Sequence, residues 1–492
     1  MKLIVDSNSK LGQISKNIYG HFSEHLGRCI YDGIYLKKGV KVPNTENMRN
    51  DIIEYLRQIH IPNLRWPGGC FADCYHWMDG IGPVADRPCI VNDTWGGVTE
   101  DNSFGTHEFL RFCELIGAEP YINANISSGS IREMSQWAEY LNASVDSPMT
   151  RLRKQNGRAE PWNVKYWGFG NEPWGDGNMR AEFYADQLRR YTTYVRNYKD
   201  RPLVRIAAGA SSGDLDWTET LMKLAGKFID AYTVHHYTIP SSNFAQKGSA
   251  TKFTQEEYIN TLEEANRMDE ILTGHSVVMN KYDPEKRIAI FVDEWGGWYD
   301  AEPDTNPGFL YQLNTMRDAM IAAHTFAIFH RHNDRVRMAN IAQLVNVLQS
   351  LFLTEGKKLV LTPTFHVFDL YKYHQDAERK ESFAEENHLE GSKKLQSISH
   401  TASLKDGVLT LSLANLDNLH EANIELDVWN FSEESVSAQV FGNGKADEGN
   451  TFRKPNAIVP RELDVIRKNG KYLFYMPACS VATIRFFSSK LK

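Results

Sequence analysis

The chain has 492 residues, 42% of them hydrophobic and 12% aromatic, which is more apolar material than one core usually holds and makes two domains the natural expectation. Asp and Glu total 62 against 55 for Lys and Arg, a formal net charge of -7 without long single-sign runs, so there is no basic stripe for a nucleic-acid partner. No uncharged apolar run approaches the ~18 residues needed to span a bilayer, so a membrane partner is not expected either.

The chain opens on MKLIVDSNSK, whose apolar patch is too short for the core of a secretion leader. A cytoplasmic location is expected if Met1 is the natural start, and secretion if a leader precedes it. The alternating KLIVD is one candidate strand. Five of the six cysteines (Cys29, Cys70, Cys74, Cys89 and Cys113) crowd the first quarter and Cys479 stands apart. They form no CxxC pair and have no His partner at zinc-finger spacing, so buried, reduced thiols are expected rather than disulfides or a metal site.

From residue 17 to about 346, short apolar runs recur between longer amphipathic stretches. In order they are NIYGHF (17–22), IPNLRWPGG (61–69), EPYINANI (119–126), VKYWGFGNEP (164–173), VRIAAGAS (204–211), DAYTVHHY (230–237), RIAIFVDEWG (287–296) and MANIAQLVN (338–346). Between them lie helix signatures beginning at Asn50-Asp51, Thr106-His107-Glu108 and Arg180-Ala181-Glu182, with acidic residues early where the helix dipole favours them. Eight strand-and-helix alternations fit a (β/α)8 TIM barrel better than an open doubly wound sheet. No GxGxxG or P-loop follows any run, so a nucleotide site has no support.

Past residue 380 the polar segment KESFAEENHLEGSKKLQ gives way to alternating runs: GVLTLSLANL, ANIELDVWN, SVSAQVFGN, KYLFYMPAC and SVATIRFF. These read as a C-terminal antiparallel β-sandwich, jelly-roll-like, that has room for the N-terminal strand. The expected organisation is an N-terminal strand in 1–16, an α/β barrel in 17–380 and the sandwich in 381–492.

A barrel presents its chemistry at strand C-termini. There the runs carry Glu24 and His25, Arg65 with Gly68-Gly69-Cys70, Asn123 and Asn125, Asn171-Glu172, His235-His236-Tyr237, Asp293-Glu294, and Gln343 with Asn346. Glu172 and Glu294 close the fourth and seventh runs, which face each other across a barrel mouth. Two such carboxylates suit glycoside hydrolysis, one protonating the leaving oxygen and the other attacking or activating water. Trp167, Trp174, Trp295, Trp298 and Tyr237 are candidate sugar platforms or core residues. His330-x-His332 and His235-His236 read as hydrogen-bonded pairs rather than metal ligands, since neither has a nearby carboxylate at strand spacing.

The segment Gly170-Asn171-Glu172-Pro173-Trp174-Gly175 resembles the large clan of retaining barrel glycosidases. With His21-Phe22-Ser23-Glu24-His25-Leu26-Gly27-Arg28, Leu64-Arg65-Trp66-Pro67-Gly68-Gly69-Cys70-Phe71, Val292-Asp293-Glu294-Trp295 and Ala342-Gln343-Leu344-Val345-Asn346, the chain is similar to glycoside hydrolase family 51 in particular. The resemblance implies an α-L-arabinofuranosidase with Glu172 as acid/base and Glu294 as nucleophile. It implies that Glu24, Asn171 and Gln343 hydrogen-bond the sugar, that Arg65 orients the nucleophile and that Tyr237 sits beside it. Trp95 resembles the family's loop Trp near the substrate, and Cys70 stands where many members have a sugar-binding Asn.

The implied reaction is double displacement on an arabinose-containing oligo- or polysaccharide, with no metal or organic cofactor and with the two carboxyls about 5 to 5.5 Å apart. A homo-oligomer, a hexamer among the options, is also implied. Two rival readings stay open: an endo-β-1,4-glucanase or xylan-active enzyme on the same barrel, and a non-catalytic carbohydrate-binding protein. The loops after the second, sixth and seventh runs decide between a pocket and an open cleft.

Overall fold

Each of the eight apolar runs becomes a strand. The computed structural model describes residues 1–37, 39–198, 202–241 and 243–488. After an N-terminal strand β1 (Lys2–Asp6), the barrel consists of β2 (Gly20–Phe22), β3 (Asn63–Trp66), β4 (Glu119–Ala124), β5 (Tyr166–Phe169), β6 (Val204–Ser211), β7 (Ala231–Thr238), β8 (Ala289–Gly297) and β9 (Val336–Ile341). All neighbours run parallel, and β9 closes the barrel onto β2 through Asn340 opposite Gly20 and Ile341 opposite His21. The floor is plugged by side chains pointing inward, among them Tyr121, Tyr166, Ile206, Phe291 and Met338. The barrel is therefore a packed core with one usable mouth.

Helices form where the sequence signals them: α1 (Asn50–Gln58), α2 (Thr106–Ile116) and α3 (Ala181–Tyr194), each with an acidic residue in its first turn. The longest, α4 (Gln255–Asn280), starts on a capping box in which Thr254 and Glu257 satisfy each other's backbone N–H groups. Helix α5 (Met316–Arg331) is buried along its length apart from Arg331. A largely apolar helix buried on every face must be covered on every face; α5 packs between the barrel and the C-terminal sheet, and its buried polar residues Arg317, His324 and His330 find partners there.

Among the described residues that sheet has ten strands: β1, β10 (Glu378–Ala384), β11 (Ile398–Lys405), β12 (Val408–Asn415), β13 (Ala422–Trp429), β14 (Ser435–Phe441), β15 (Arg461–Glu462), β16 (Val465–Lys468), β17 (Lys471–Met476) and β18 (Ser480–Phe487). Their order is β15-β14-β18-β12-β11-β10-β1-β13-β17-β16. The N-terminal strand lies between β10, antiparallel, and β13, parallel. The two halves enclose an apolar core that includes Leu3, Val5, Leu411, Leu426, Phe474 and Phe486.

The polar segment after residue 380 differs from its sequence reading. Residues 378–384 are strand, straddling the expected boundary at 380, because β1 offers them a ladder from Leu3 opposite Ala384 to Asp6 opposite Glu381. Their charged side chains are accommodated individually: the Lys380 ammonium donates to the Ser9 carbonyl and pairs with Glu378. The cysteines also differ in part. All six are free thiols, but only Cys29, Cys113 and Cys479 are buried, while Cys70 is half-buried and Cys74 and Cys89 are exposed.

His330 is buried between Tyr19 Oη and Thr401 Oγ1, at 2.8 and 2.7 Å, and His332 pairs with Asp269 at 2.8 Å. The His330 contacts tie the barrel to the C-terminal sheet, and the His332 pair joins two barrel helices. No helix among the described residues is long and apolar enough to cross a membrane.

Candidate active site

The barrel mouth holds a cavity of about 490 Å³ whose walls include all the expected pocket residues except Arg65 and Asn171, which lie just behind it. Strand ends deliver the side chains. At the end of β5 the backbone turns sharply, with Gly170 at φ +84° and Glu172 itself at φ +35°. A left-handed Glu is a strained residue held by its surroundings. A Cβ at Gly170 would come within 2.3 Å of Ile126, so this turn admits only glycine there.

Glu294, at the end of β8, is fixed at both oxygens. Arg65 Nη1 donates to Oε1 and Tyr237 Oη donates to Oε2, each at 2.8 Å. Arg65 also donates from Nη2 to Asn171 Oδ1 at 2.7 Å, so one guanidinium holds both strand ends in register. Its charge is buried at 1% exposure and is balanced by Asp293 as well, 3.3 Å from Nε.

Glu172 shares its hydrogen-bond partner with Asp293. His235 Nδ1 donates to Glu172 Oε1 at 2.7 Å while Nε2 faces Asp293 Oδ1 at 3.1 Å, and Nδ1 is also 3.6 Å from Glu294. Burial alone would lower the imidazole pKa, but the charges of Glu294 and Asp293 outweigh it and raise it well above its ordinary value. These charges favour the imidazolium form of His235, in which both ring nitrogens donate. Asp293 answers in kind: burial would raise its carboxyl, yet Arg65 and His235 hold it below the usual range, and Tyr121 Oη donates to it at 2.8 Å. Glu172 is pushed up by burial, an effect that its hydrogen bond from His235 partly offsets. One carboxylate oxygen of Glu172 and one of Glu294 lie within 4.8 Å of each other.

A third carboxylate, Glu24, closes the opposite wall. It accepts from Trp95 Nε1 at 2.9 Å and the Phe71 amide at 3.0 Å on Oε1, and from Gln343 Nε2 at 2.7 Å on Oε2. Burial, with Glu294 adding to it, pushes its pKa up to about 7. A Cβ at Gly69 would lie 2.8 Å from Glu24 Oε2, which explains the glycine pair before Cys70. Cys70 itself reaches the Glu172–Asp176 side of the pocket, where its Sγ lies within 4.8 Å of both carboxylates.

The comparisons with known proteins follow this geometry. Residues 55–257, which contain Glu172, match the family model "Alpha-L-arabinofuranosidase 1 domain", and residues 293–480, which contain Glu294, match "Alpha-L-arabinofuranosidase C-terminal domain". An intracellular exo-alpha-L-arabinofuranosidase of Bacteroides ovatus is 45% identical over 96% of this chain and 92% of its own. The chain belongs to glycoside hydrolase family 51.

Two solved structures extend the match. The GH51 arabinofuranosidase of Xanthomonas axonopodis pv. citri superposes with a TM-score of 0.96 at 42% identity, covering 99% of each chain. An arabinose complex of the Thermotoga maritima enzyme gives 0.89 at 28% identity, covering 99% of this chain and 100% of that one. A bifunctional glucanase-xylanase from a metagenome library reaches 0.62 at 12% identity, a likeness of fold alone.

In this family 51 chain the expected pocket residues converge, but two of the aromatic candidates do not. Trp167 packs against Trp137 in the core, and Trp295 packs on Phe326 and Phe329 of α5, outside the barrel. Successive strand residues point to opposite faces, so the Trp next to Glu294 points away from it. Trp174, Trp298 and Tyr237 do line the cavity.

Missed as functional candidates were Asp293 and His235, although both stood in the quoted strand ends, and Phe244 and Leu310, which come from loops and carry no motif. Asp73 was missed as well. It is buried behind the site and accepts from the Asn171 and Ile126 amides, each at 3.3 Å, with burial raising its pKa to about 7.

Proposed function

We propose that this family 51 enzyme is an exo-acting, retaining α-L-arabinofuranosidase that releases terminal arabinofuranose from an arabinose-containing glycan. The observation that carries the retaining assignment is the approach of the Glu172 and Glu294 carboxylates to within 4.8 Å. That approach leaves space for a sugar carbon between nucleophile and acid, whereas an inverting pair stands about 6.5 to 9.5 Å apart with a water between.

In the first step Glu294 attacks the anomeric carbon as Glu172 gives its proton to the departing oxygen. Because Glu172 Oε1 accepts the His235 N–H, the acid proton belongs on the other oxygen, free for the leaving group. Arg65 and Tyr237 hold both Glu294 oxygens and so fix its angle of attack. In the second step Glu172, now ionised and stabilised by the His235 imidazolium, takes a proton from water. That water displaces Glu294 and frees arabinose with its configuration kept. Carboxylates supply the proton transfer and the covalent intermediate, so the scheme calls for no metal or organic cofactor.

Glu24, Asn171 and Gln343 would bind the sugar hydroxyls, with Cys70 and Trp95 at its edge. Gln343 Oε1 is buried without a protein partner among the described residues, which suits a hydroxyl donor from the substrate. Exo action is favoured over the endo-glucanase reading by the walls that rise after the third, seventh and eighth strands: Trp95, Phe244, Trp298 and Leu310 enclose the cavity rather than leaving a through-cleft. A cytoplasmic location, in line with the intracellular Bacteroides ovatus relative, and a homo-oligomeric state complete the proposal.

The test is a panel of 4-nitrophenyl glycosides with NMR of the first-formed anomer. Release from the α-L-arabinofuranoside, without viscosity loss in β-glucan and with the α anomer first, is the expected result. The β anomer first would remove the retaining mechanism, and β-glucan thinning would favour the endo reading.

A further inference from the structure

The catalytic pocket continues beyond its carboxylates. On the side of α4 its wall includes Glu264 and Arg267. The same two residues also border a second, solvent-facing hollow of about 310 Å³, whose other walls are Pro240, Ser241, Asn260, Glu263 and Lys394. The two spaces therefore adjoin across a shared wall. Asn260, Glu263, Glu264 and Arg267 follow one another at i, i+3, i+4 and i+7, which puts them on one face of α4. Between the first and the last, that face extends about 10 Å at 1.5 Å per residue.

The chemistry of this hollow suits hydroxyl groups. Arg267 pairs with Glu264 at 2.6 Å, and Glu263 accepts from Ser392 Oγ at 2.5 Å, so the carboxylates on the helix face already have donors. Two acidic and two basic side chains line it, which favours neither a polyanion nor a polycation. Asn260 and Lys394 are exposed, and neither side chain has a hydrogen-bond or ion-pair partner among the described residues. Ser392 and Lys394 belong to the connection between β10 and β11, so the C-terminal sheet domain itself supplies part of this wall.

We propose that this hollow is the leaving-group side of the substrate site. It receives a neutral oligosaccharide that continues from the scissile bond across the Glu264–Arg267 wall, with Asn260 and Lys394 as the residues that reward longer chains. The inference rests on the arabinofuranosidase reading above. Sugar hydroxyls both donate and accept, and an amide, an ammonium and the two helix carboxylates offer both complements. A groove of this kind sets chain-length preference through binding energy remote from the reacting carbon.

The experiment compares kcat/KM on 4-nitrophenyl α-L-arabinofuranoside with kcat/KM on linear α-1,5-linked arabinobiose, arabinotriose and arabinotetraose. For the parent enzyme, efficiency is expected to rise from biose to tetraose. In the double variant Asn260→Ala/Lys394→Ala, the ratio of tetraose to nitrophenyl efficiency should fall by about fivefold to tenfold, mainly through KM. A flat chain-length series in the parent, or an unchanged ratio in the variant, overturns the groove while leaving the arabinofuranosidase intact. A parent that hydrolyses neither kind of arabinofuranoside overturns the activity on which both readings stand.

Discussion

His235 lies 2.7 Å from Glu172 through one ring nitrogen and 3.1 Å from Asp293 through the other, which places a buried imidazole, held toward its charged form by the surrounding carboxylates, directly against the proposed acid/base. The pKa of Glu172 is thus set by two opposed effects: burial drives it up and the imidazolium holds it down.

Replacing His235 with Gln keeps a donor but removes the positive charge. Glu172 then loses the charge that helps to lower its pKa, so the basic limb of the kcat/KM profile, which reports loss of the acid proton, should move to higher pH. The rate should fall by about 10-fold to 100-fold, because ionised Glu172 is needed in the second step. A fall in rate with both limbs unmoved would mean that His235 serves the fold and not the proton.

The two carboxylates separate by chemical rescue. Glu294→Ala should lose roughly 10⁴-fold or more of kcat, since no covalent intermediate can form, while arabinose still binds by calorimetry. Glu172→Ala should retain its first step on a nitrophenyl substrate, whose good leaving group hardly needs the acid, and should stall at the second. Azide then replaces the activated water and yields the α-arabinofuranosyl azide. Rescue of Glu294→Ala to the α azide instead would reverse the two assignments.

Asp73 makes a stability prediction with a definite sign. Its pKa is raised to about 7 in the folded chain by burial, against an unfolded value of about 3.9. Folding therefore favours the protonated form, and the associated stability is complete below the unfolded pKa and lost as pH rises toward 7. Asp73→Asn is insensitive to that titration. The melting temperature of the variant minus that of the parent should increase between pH 4 and about pH 7 and level off above it. A difference that stays level across that range would show that Asp73 keeps an ordinary pKa.

Cys70 lies beside Glu172 and Asp176, and its thiol pKa is raised far above the ordinary range, first by burial and then by the charges of Glu24, Asp176, Glu172 and Glu294. A thiol that resists ionisation is a poor nucleophile. Iodoacetamide at pH 8 should label the exposed Cys74 and Cys89 before Cys70, with activity outlasting the first two modifications by peptide mapping. Loss of activity in step with Cys70 labelling ahead of the others would contradict this environment.

Some of the site was legible in the chain because it depends on local pattern. Strand periodicity and barrel topology put Glu24, Arg65, Asn171, Glu172, Tyr237, Glu294 and Gln343 at strand ends, and a barrel exposes chemistry only there. The family resemblance added Trp95 and Cys70. None of that required knowing which side chains touch.

The alternating pattern of the sequence also fixed the eight barrel strands and five of the C-terminal ones, since period two or an apolar run is a property of neighbouring residues. Only the tertiary structure decided what depends on distant residues. Residues 378–384 are polar and become a strand because β1, from the other end of the chain, pairs with them. Trp295 turns away from the pocket while Trp298 enters it, a distinction of facing that composition does not carry. The Glu172–His235–Asp293 chain joins residues 63 and 58 positions apart. It acquires its protonation state from burial and from charges that only the closed barrel brings together.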